Sequence, residues 1–189
     1  MATLASDAPT PGGGAAAAMT AAQGVALLAM VARLTKTKST VIDWQQHIIE
    51  MDAARETFGN LATEDALAFN EVMKTYSLPK GDERTQTMQK ALKSALQPPL
   101  KTILLTNEIL SKLIPYIEAG NKNVITDSGI AVALMRAAIE SSAYNVEINL
   151  KFIQDKDFVK EIREKIKPIL EGLEKSCGHM SEIVYARIS

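Results

Sequence analysis

Apolar residues recur along most of this chain at steps of three and four, the spacing that places side chains on one side of an α-helix. The pattern predicts helices over residues 15–34, 41–76, 83–96, 100–119 and 158–188, and one from Asp127 or Ser128 to residue 150. No segment alternates apolar and polar residues as a β-strand does. The sequence therefore predicts an all-α fold, a single-domain helical bundle with long antiparallel helices spanning residues 1–189.

Proline, glycine and short polar residues mark where these helices are expected to begin, end or bend. Asp127 or Ser128 is expected to cap its helix, since short polar side chains favour that position. Weak points, stops or bends are expected at Gly59-Asn60, Pro98-Pro99, Pro115, Pro168 and Gly178.

A loop rich in proline and glycine precedes the first helix: residues 9–14 read Pro-Thr-Pro-Gly-Gly-Gly. Such a turn leaves backbone N–H groups unpaired at the positive end of the helix dipole, where an anion or a polar ring edge can bind. Pro11, Gly12, Gly13 and Gly14 are therefore candidate substrate-binding residues. A leader followed by a tightly packed core helix explains the same pattern. No Gly-Lys-Ser/Thr follows the glycines and no strand precedes them, which disfavours nucleotide-binding loops.

The helix over residues 15–34 is apolar on all sides and has the length of a membrane span. Its apolarity rests mostly on alanine, and it contains Thr20, Gln23 and Arg33. It is therefore predicted to be a buried helix of a soluble protein, with no membrane partner. A small domain covers such a helix most easily by pairing with a second copy, so a homodimer is expected.

Composition narrows the classes of function. The 189 residues carry a net charge of −1 and a sequence pI near 6.2, so no nucleic acid partner is expected. The single cysteine, Cys177, excludes an internal disulfide framework and suits a reducing, cytoplasmic compartment. His47 and His179 lie far apart in sequence, so no metal site is expected and each is predicted on a helix surface.

Asp65 is the most informative carboxylate. On a helix it shares one stripe with Leu61, Phe69, Val72 and Tyr76, by steps of three and four. An acid among such neighbours is partly desolvated, which raises its pKa and suits it to acid–base catalysis. The alternative is an acid at a helix edge, paired with a lysine or arginine.

Other polar residues are candidates for binding. Ser141, Asn145 and Asn149 follow one another at steps of four, an arrangement that suits either the edge of a flat heterocycle or hydrogen bonds between helices. Asn121 and Asn123 precede the same helix.

Several cationic side chains are candidates for binding the acidic tail of a ligand. Lys80 lies in a Pro-containing turn, and Arg33, Lys36 and Lys38 cluster where the first helix ends, which helix-dipole stabilisation also explains. The chain offers no Ser/His/Asp or Cys/His set, so covalent nucleophilic catalysis has little support.

Six stretches together carry a family resemblance: Ala8 to Gly14 with the alanine-rich helix through Met30-Val31 and Leu34-Thr35; Asp65-x-x-x-Phe69 with Val72-Met73; Leu78-Pro79-Lys80; Pro99-Leu100; Gly120-Asn121-x-Asn123 through Asp127; and Asn145-Val146-x-Ile148-Asn149-Leu150. In this order the chain resembles the cyclodeaminase/cyclohydrolase family, which includes methenyltetrahydrofolate cyclohydrolases and the cyclodeaminase domain of formiminotransferase-cyclodeaminase. The resemblance implies a helical homodimer acting on one-carbon units of tetrahydrofolate, with Asp65 as the catalytic aspartate.

The expected reaction is hydrolysis of 5,10-methenyltetrahydrofolate to 10-formyltetrahydrofolate, with the folate as substrate and no tightly bound cofactor. Asp65, Lys80 and Asp127 form the expected catalytic set. Asp127 would hold the pterin edge or the water together with the asparagines Asn121, Asn145 and Asn149. Lys80 or the Arg33 cluster would bind the glutamate tail. The alternatives are a formiminotetrahydrofolate cyclodeaminase that releases ammonia, and a non-catalytic helical dimerisation or adaptor module.

Overall fold

The computed structural model describes residues 1–36 and 42–189, and in these ranges the chain is helical without a β-strand. The helices are α1 Gly13–Leu34, α2 Trp44–Thr75, α3 Asp82–Ala95, α4 Gln97–Ser111, α5 Ile114–Ala119, α6 Ile125–Phe152 and α7 Lys156–Ile188, with a 3₁₀ turn at Lys122–Val124 before α6. The predicted all-α, single-domain fold is confirmed. The predicted start of the second helix at Val41 lies outside the described residues.

Helix α1 is the centre of the bundle and packs against α2 and α6. It is long and apolar enough to cross a membrane, but most of it is buried within the protein, as predicted for a core helix. Gly24 allows the close approach of α6, because a methyl group there would lie 2.7 Å from Met135 Cγ and 3.2 Å from the Ala131 carbonyl oxygen. Gly13 faces Asn145, so α6 runs antiparallel to α1.

Helix α2 also runs antiparallel to α1. Asp52, near its start, contacts Arg33 at the end of α1, and Asp65, further along, contacts Gly14 at the beginning. The start of α1 therefore meets the later parts of both α2 and α6, and the candidate site lies at this end of the bundle.

Two expected interruptions are wrong, because α7 continues through Pro168 and Gly178. Helix α2 continues through the weak point at Gly59-Asn60, as the single helix predicted over this range requires. The Pro168 ring is exposed, while Ile166 and Leu173 on either side of it are buried. Burial of the apolar side of α7 outweighs the cost of a proline inside a helix, about 3 kcal/mol.

Three other prolines sit in the first turns of helices. Pro98 and Pro99 belong to the first turn of α4, and Pro115 to that of α5. The expected bend at Pro115 is instead a break between Ser111 and Ile114. A first turn has no use for the N–H that proline lacks, so proline is favoured there.

The predicted capping role of Asp127 or Ser128 is also wrong. The 3₁₀ turn runs directly into α6, whose N-cap is Val124, and this places Asp127 inside the first helical turn. Asn121 caps the 3₁₀ turn instead, its side chain accepting a hydrogen bond from the Asn123 N–H at 3.0 Å.

The outward sides of α1 and α6 form a surface that we call the α1–α6 face. Its most exposed large apolar members are Tyr144 (79%), Ile148 (52%) and Ile130 (50%). None of its side chains is charged; they are Met19, Gln23, Leu27 and Met30 of α1 and Thr126, Ile130, Ala133, Ala137, Ser141, Tyr144 and Ile148 of α6. An uncharged surface that exposes several large apolar side chains is typical of an interaction site.

Candidate active site

A cleft of about 310 Å³ opens where α1 begins. The loop before α1, the later halves of α2 and α6, and the end of α3 enclose it. Its lining residues are Pro9, Thr10, Gly12, Gly13, Gly14, Asp65, Phe69, Val72, Met73, Tyr76, Leu92, Ala95, Asn145, Ile148, Asn149 and Phe152. Three predicted site residues, Asp65, Asn145 and Asn149, therefore meet in one cleft with the predicted glycines.

The Asp65 carboxylate lies directly over Gly14. It accepts a hydrogen bond from the Ala15 N–H, one of the unpaired donors at the start of α1. A methyl group at position 14 would overlap the carboxyl group, so only glycine leaves this place open. The glycine-rich start of α1 thus holds the acid in a fixed position.

Burial raises the pKa of Asp65 above its ordinary value of 3.8, while the hydrogen bond from Ala15 opposes the shift. The expectation that this acid is partly desolvated is confirmed. The alternative of an acid paired at a helix edge is wrong, because among residues 1–36 and 42–189 no ion pair involves Asp65. The cleft therefore holds a carboxylate whose charge no cation of the described chain neutralises.

Asn145 and Asn149 line the cleft, and their side-chain amides donate hydrogen bonds within α6. The Asn145 amide donates to the Ser141 carbonyl at 2.9 Å, and the Asn149 amide donates to the Asn145 carbonyl at 2.8 Å. These amides therefore form hydrogen bonds within α6, and the alternative prediction of hydrogen bonds between helices is wrong for them. Each side-chain carbonyl oxygen remains available to a ligand donor.

Aromatic and aliphatic side chains line the mouth of the cleft. Phe69 and Tyr76 come from the Asp65 stripe on α2, while Ile148 and Phe152 come from α6. Sequence reasoning missed Phe152 as a site residue, although it follows Asn149 by three positions and so shares its side of the helix. Opposing apolar walls above a carboxylate suit a flat ring.

Pro9, Thr10 and Gly12 form the remaining wall. Gly12 is the N-cap of α1 and supplies no side-chain hydrogen bond. The Thr10–Pro11 peptide bond is cis. Of the predicted loop residues, Gly12, Gly13 and Gly14 line the cleft, while Pro11 belongs to the loop but does not line it.

The other predicted residues lie elsewhere in the single chain. Arg33 ends α1, about 30 Å from Gly13 at the rise of an α-helix, and pairs with Asp52. The Asn121 amide donates to the Leu34 carbonyl at the same end of the bundle.

Asp127 lies in the first turn of α6, also at the Arg33 end of the bundle. Lys80 is exposed in the turn between α2 and α3 and does not line the cleft. Lys36 is exposed, and Lys38 lies outside the described residues. One copy of the chain therefore does not bring the predicted cations or Asp127 to Asp65.

A second cleft, of about 370 Å³, lies between α2 and α4–α5. His47 lines it and is buried, so the prediction of a surface histidine is wrong at this position. Its ring stacks on Tyr116 with centroids 3.8 Å apart, and Trp44 packs edge-on against both. His179 is exposed as predicted. Within the part of the chain that is described, no cluster of three metal-ligating side chains occurs.

The bundle and its cleft define an all-α domain with a candidate small-molecule site around one partly buried carboxylate. The chain belongs to the formiminotransferase-cyclodeaminase family, whose profile matches residues 1–168. It is 37% identical to a methenyltetrahydrofolate cyclohydrolase of Methylorubrum extorquens, over 98% of this chain and 91% of that protein.

Other relatives carry the second activity of the family in their names. A formimidoyltransferase-cyclodeaminase of Dictyostelium discoideum is 31% identical over 97% of this chain, which spans 35% of that longer protein. The crystal structure of a formiminotetrahydrofolate cyclodeaminase from Thermotoga maritima superposes with a TM-score of 0.82 at 32% identity, covering 98% of this chain and 91% of that one.

Proposed function

We propose that this protein hydrolyses 5,10-methenyltetrahydrofolate to 10-formyltetrahydrofolate. The observation that carries the proposal is the Asp65 carboxylate, seated over Gly14 in a cleft with apolar walls and unneutralised by any cation in the described residues. The near full-length similarity to a methenyltetrahydrofolate cyclohydrolase supports the same reaction. The substrate carries a positive charge on an amidinium-like bridge, which complements a buried negative charge.

Asp65 acts on the water that attacks the bridge carbon. Its carboxylate stabilises the cation and accepts a proton as the water oxygen bonds to that carbon. The tetrahedral adduct then loses the bond between its carbon and N5, so the formyl group remains on N10. One proton of the water ends on N5 and the other is released to solvent, which balances the reaction.

The other cleft residues position the substrate. The side-chain oxygens of Asn145 and Asn149 accept hydrogen bonds from N–H groups of the pterin edge, and Phe69 and Phe152 flank its ring. The start of α1 supplies backbone donors to carbonyl or anionic groups. No tightly bound cofactor is needed for this addition of water.

Cyclodeamination of 5-formiminotetrahydrofolate is the second candidate, favoured by the similarity to the Thermotoga cyclodeaminase structure. There N10 attacks the formimino carbon and ammonia leaves, so the same methenyl cation is the product. A carboxylate at Asp65 stabilises the charge in either direction, which explains how one cleft serves both reactions.

Two parallel assays distinguish the reactions. Loss of the methenyl absorbance, after subtraction of the enzyme-free rate, measures hydrolysis, and ammonia release from the formimino compound measures cyclodeamination. We expect the first to exceed the second. Ammonia release alone would favour the cyclodeaminase, and folate binding without turnover would contradict both. Absence of folate binding would favour the non-catalytic adaptor.

We also propose that the protein is a homodimer located in the cytoplasm. The uncharged α1–α6 face supports the dimer, since pairing of two copies removes it from water. The buried free thiol of Cys177 is compatible with a reducing compartment.

A further inference from the structure

The second cleft, between α2 and α4–α5, is separate from the Asp65 cleft. Its volume of about 370 Å³ is within the ordinary range of small-molecule sites, and its lining residues come from α2, α4, α5 and the turn between α4 and α5. His47, which lines it, and Asp65 lie eighteen positions apart on α2, or about 27 Å at a rise of about 1.5 Å per residue. The proposed folate chemistry therefore gives this cleft no role.

His47 is the buried polar group of the second cleft. Only 4% of the residue is exposed, yet its side of α2 lines the cleft. Burial lowers the pKa of the imidazole to about 4, so the ring is neutral at pH 7 and one of its nitrogens is a hydrogen-bond acceptor. Within residues 1–36 and 42–189 neither ring nitrogen has a hydrogen-bond partner. A buried polar group without a partner is costly, so this acceptor is suited to a ligand donor.

The charged residues of the second cleft carry more negative than positive charge. They are two carboxylates, Glu50 and Glu108, and one ammonium, Lys112, whose Nζ lies 2.7 Å from the Glu108 carboxylate. The Glu50 carboxylate accepts a hydrogen bond from the Gln46 amide at 2.9 Å and forms no ion pair within the described parts of the chain. It is close enough to His47 to oppose the fall in the pKa of that ring. A carboxylate and a neutral imidazole acceptor therefore lie side by side.

Apolar side chains complete the lining of the second cleft. Met51, Ala54 and Ile109 line it and are buried. Two adjacent alanines, Ala53 and Ala54, leave space on this side of α2, because their side chains are short. A lining of this kind suits a hydrocarbon chain or a single aromatic ring.

We propose that the second cleft binds a primary ammonium ion carried on an apolar body. The ammonium donates one hydrogen bond to the unpartnered His47 ring nitrogen and another to the Glu50 carboxylate, which lies one helical turn further along α2. The apolar body packs against Met51 and Ile109. A carboxylate ligand is repelled by the excess negative charge, and an uncharged ligand leaves that charge uncompensated.

Trp44 provides a direct readout of binding at this end of α2. It is the only tryptophan of the chain, and it packs edge-on against His47 and Tyr116. The probes are 2-phenylethylammonium, 2-phenylethanol and 3-phenylpropionate, which are similar in size but carry a positive charge, no charge and a negative charge. We expect a saturable change in Trp44 fluorescence with the ammonium, about tenfold weaker binding of the alcohol, and the weakest binding for the carboxylate.

Three results with these probes would overturn the proposal. They are the absence of a saturable response to 2-phenylethylammonium, equal affinity for the alcohol, and tighter binding of the carboxylate. Asp65→Asn controls for binding of the cation in the other cleft, about 27 Å away, and this variant should bind the probe as the wild type does. A response that disappears in Asp65→Asn would place the probe in the Asp65 cleft and would also overturn the proposal. Failure of the folate assays leaves this test unaffected, because no folate takes part in it.

Two glutamine substitutions on α2 locate the contact. Glu50→Gln removes the carboxylate beside His47, while Glu56→Gln removes an exposed acid of the same helix that does not line the cleft. The dissociation constant of 2-phenylethylammonium should rise about three- to fivefold in the first variant, the usual scale for an exposed charge pair, and stay unchanged in the second. Equal constants in the two variants would contradict the assignment.

His47→Phe tests the buried contact, because it keeps an aromatic ring against Tyr116 and removes both ring nitrogens. We expect the ammonium to bind about tenfold more weakly to this variant. Wild-type affinity in a folded His47→Phe variant would overturn the role of the imidazole. If the variant does not fold, the comparison of Glu50→Gln with Glu56→Gln decides, since both changes lie at exposed positions.

Discussion

Asp65 owes its altered acidity to its position, not to a charged neighbour. Its place on the inner stripe of α2 removes water from the carboxylate and raises its pKa, and the Ala15 N–H limits that rise. Burial and the Ala15 hydrogen bond, which act in opposite directions, therefore set the pKa of this carboxyl group. The carboxylate stays chargeable but poorly solvated, which is the state in which it best stabilises a cation and accepts a proton.

Replacement of Asp65 by Asn removes the charge and keeps the shape. We expect turnover to fall by about 10²- to 10⁴-fold, the usual contribution of a positioned acid or base. The amide oxygen can still accept the Ala15 hydrogen bond, and desolvation of a charge is relieved, so the melting temperature should not decrease. Steady-state kinetics and thermal unfolding of the same preparation check both statements. Activity close to wild type would remove Asp65 from its role.

The raised pKa also predicts the acid limb of the pH–rate profile. In the proposed mechanism the ionised form of Asp65 is the active one, so activity should be lost as the pH falls through the pKa of this carboxyl group. Since burial raises that pKa above 3.8, the limb should lie at higher pH than for an ordinary aspartate. Measurement of kcat/KM against pH gives its midpoint. A midpoint at or below 3.8 would contradict the desolvated environment.

The sequence predicted that the Asp65 carboxylate is partly desolvated, but not which residues hold it in place. The stripe of Leu61, Asp65 and Phe69 is local, and spacing alone predicts its desolvation. The contact with Gly14 joins residues about fifty positions apart, and no local pattern encodes it. Missing Phe152 has the same cause, since its neighbours come from another helix.

At the scale of the element, the start of α1 acts as a support for α2. Four N–H groups at a helix start lack partners within the helix, and here one of them binds the Asp65 carboxylate. The partial positive charge at that end also favours a bound anion. The glycines of this turn are needed for close approach and not for unusual backbone angles, since none of Gly12, Gly13 and Gly14 has a positive φ.

Two adjacent glycines give a matched test of this support. Gly14→Ala places a methyl group where the Asp65 carboxylate lies, so the acid must move and activity should fall more than tenfold, the equivalent of about 1.4 kcal/mol. Gly13→Ala places its methyl group 3.8 Å from the Asn145 amide, an ordinary contact that leaves the Asp65 carboxylate in place, and should lose less activity than Gly14→Ala.

Alanine favours helix more than glycine does, so neither change should prevent folding. Combining Gly14→Ala with Asp65→Asn should add little further loss, because both changes remove the same positioned carboxylate. Equal activities of the two alanine variants, or additive losses in the combined variant, would contradict the support by α1.

Some helix boundaries could be predicted from the local sequence, and others depend on packing against distant residues. The turn after α2 and the break before α4 were predicted from proline and glycine, because these residues restrict the backbone wherever they occur. The continuity of α7 through Pro168 was not predicted, since it depends on burial of Ile166 and Leu173 against other helices. The start of α6 was misjudged because a 3₁₀ turn extends it upstream of Asp127.

For the molecule as a whole, the sequence predicted the class and the number of long helices, but not which ends meet. Apolar periodicity predicts that each helix has a buried side, but it does not predict which other helix packs against that side. The close approach at Gly24 and the antiparallel order of α1 and α6 emerge only in three dimensions. This is why Asn145 was found beside Asp65, while Arg33 and Asp127 were found at the far end.

The stability of the whole fold should depend on pH through His47. Burial lowers the pKa of this imidazole from 6.5 to about 4, with the Glu50 carboxylate opposing the shift. The unfolded chain therefore binds a proton at a higher pH than the folded chain does, and stability is lost as the pH falls below 6.5. Between pH 7 and 5 the loss should be about 2 kcal/mol, from about 1.4 kcal/mol per pKa unit.

Urea unfolding at several pH values measures this slope, and two glutamine substitutions identify its source. His47→Gln removes the titrating group from beneath Tyr116, so the variant should be less stable at pH 7 but should lose most of the pH dependence. His179→Gln changes an exposed histidine and should leave the slope as in the wild type. The range above pH 5 lies above the ordinary titration of carboxyl groups, so the difference between the two variants isolates His47. An unchanged slope in His47→Gln would mean that its proton is bound equally in both states, in conflict with a buried, neutral ring stacked on Tyr116.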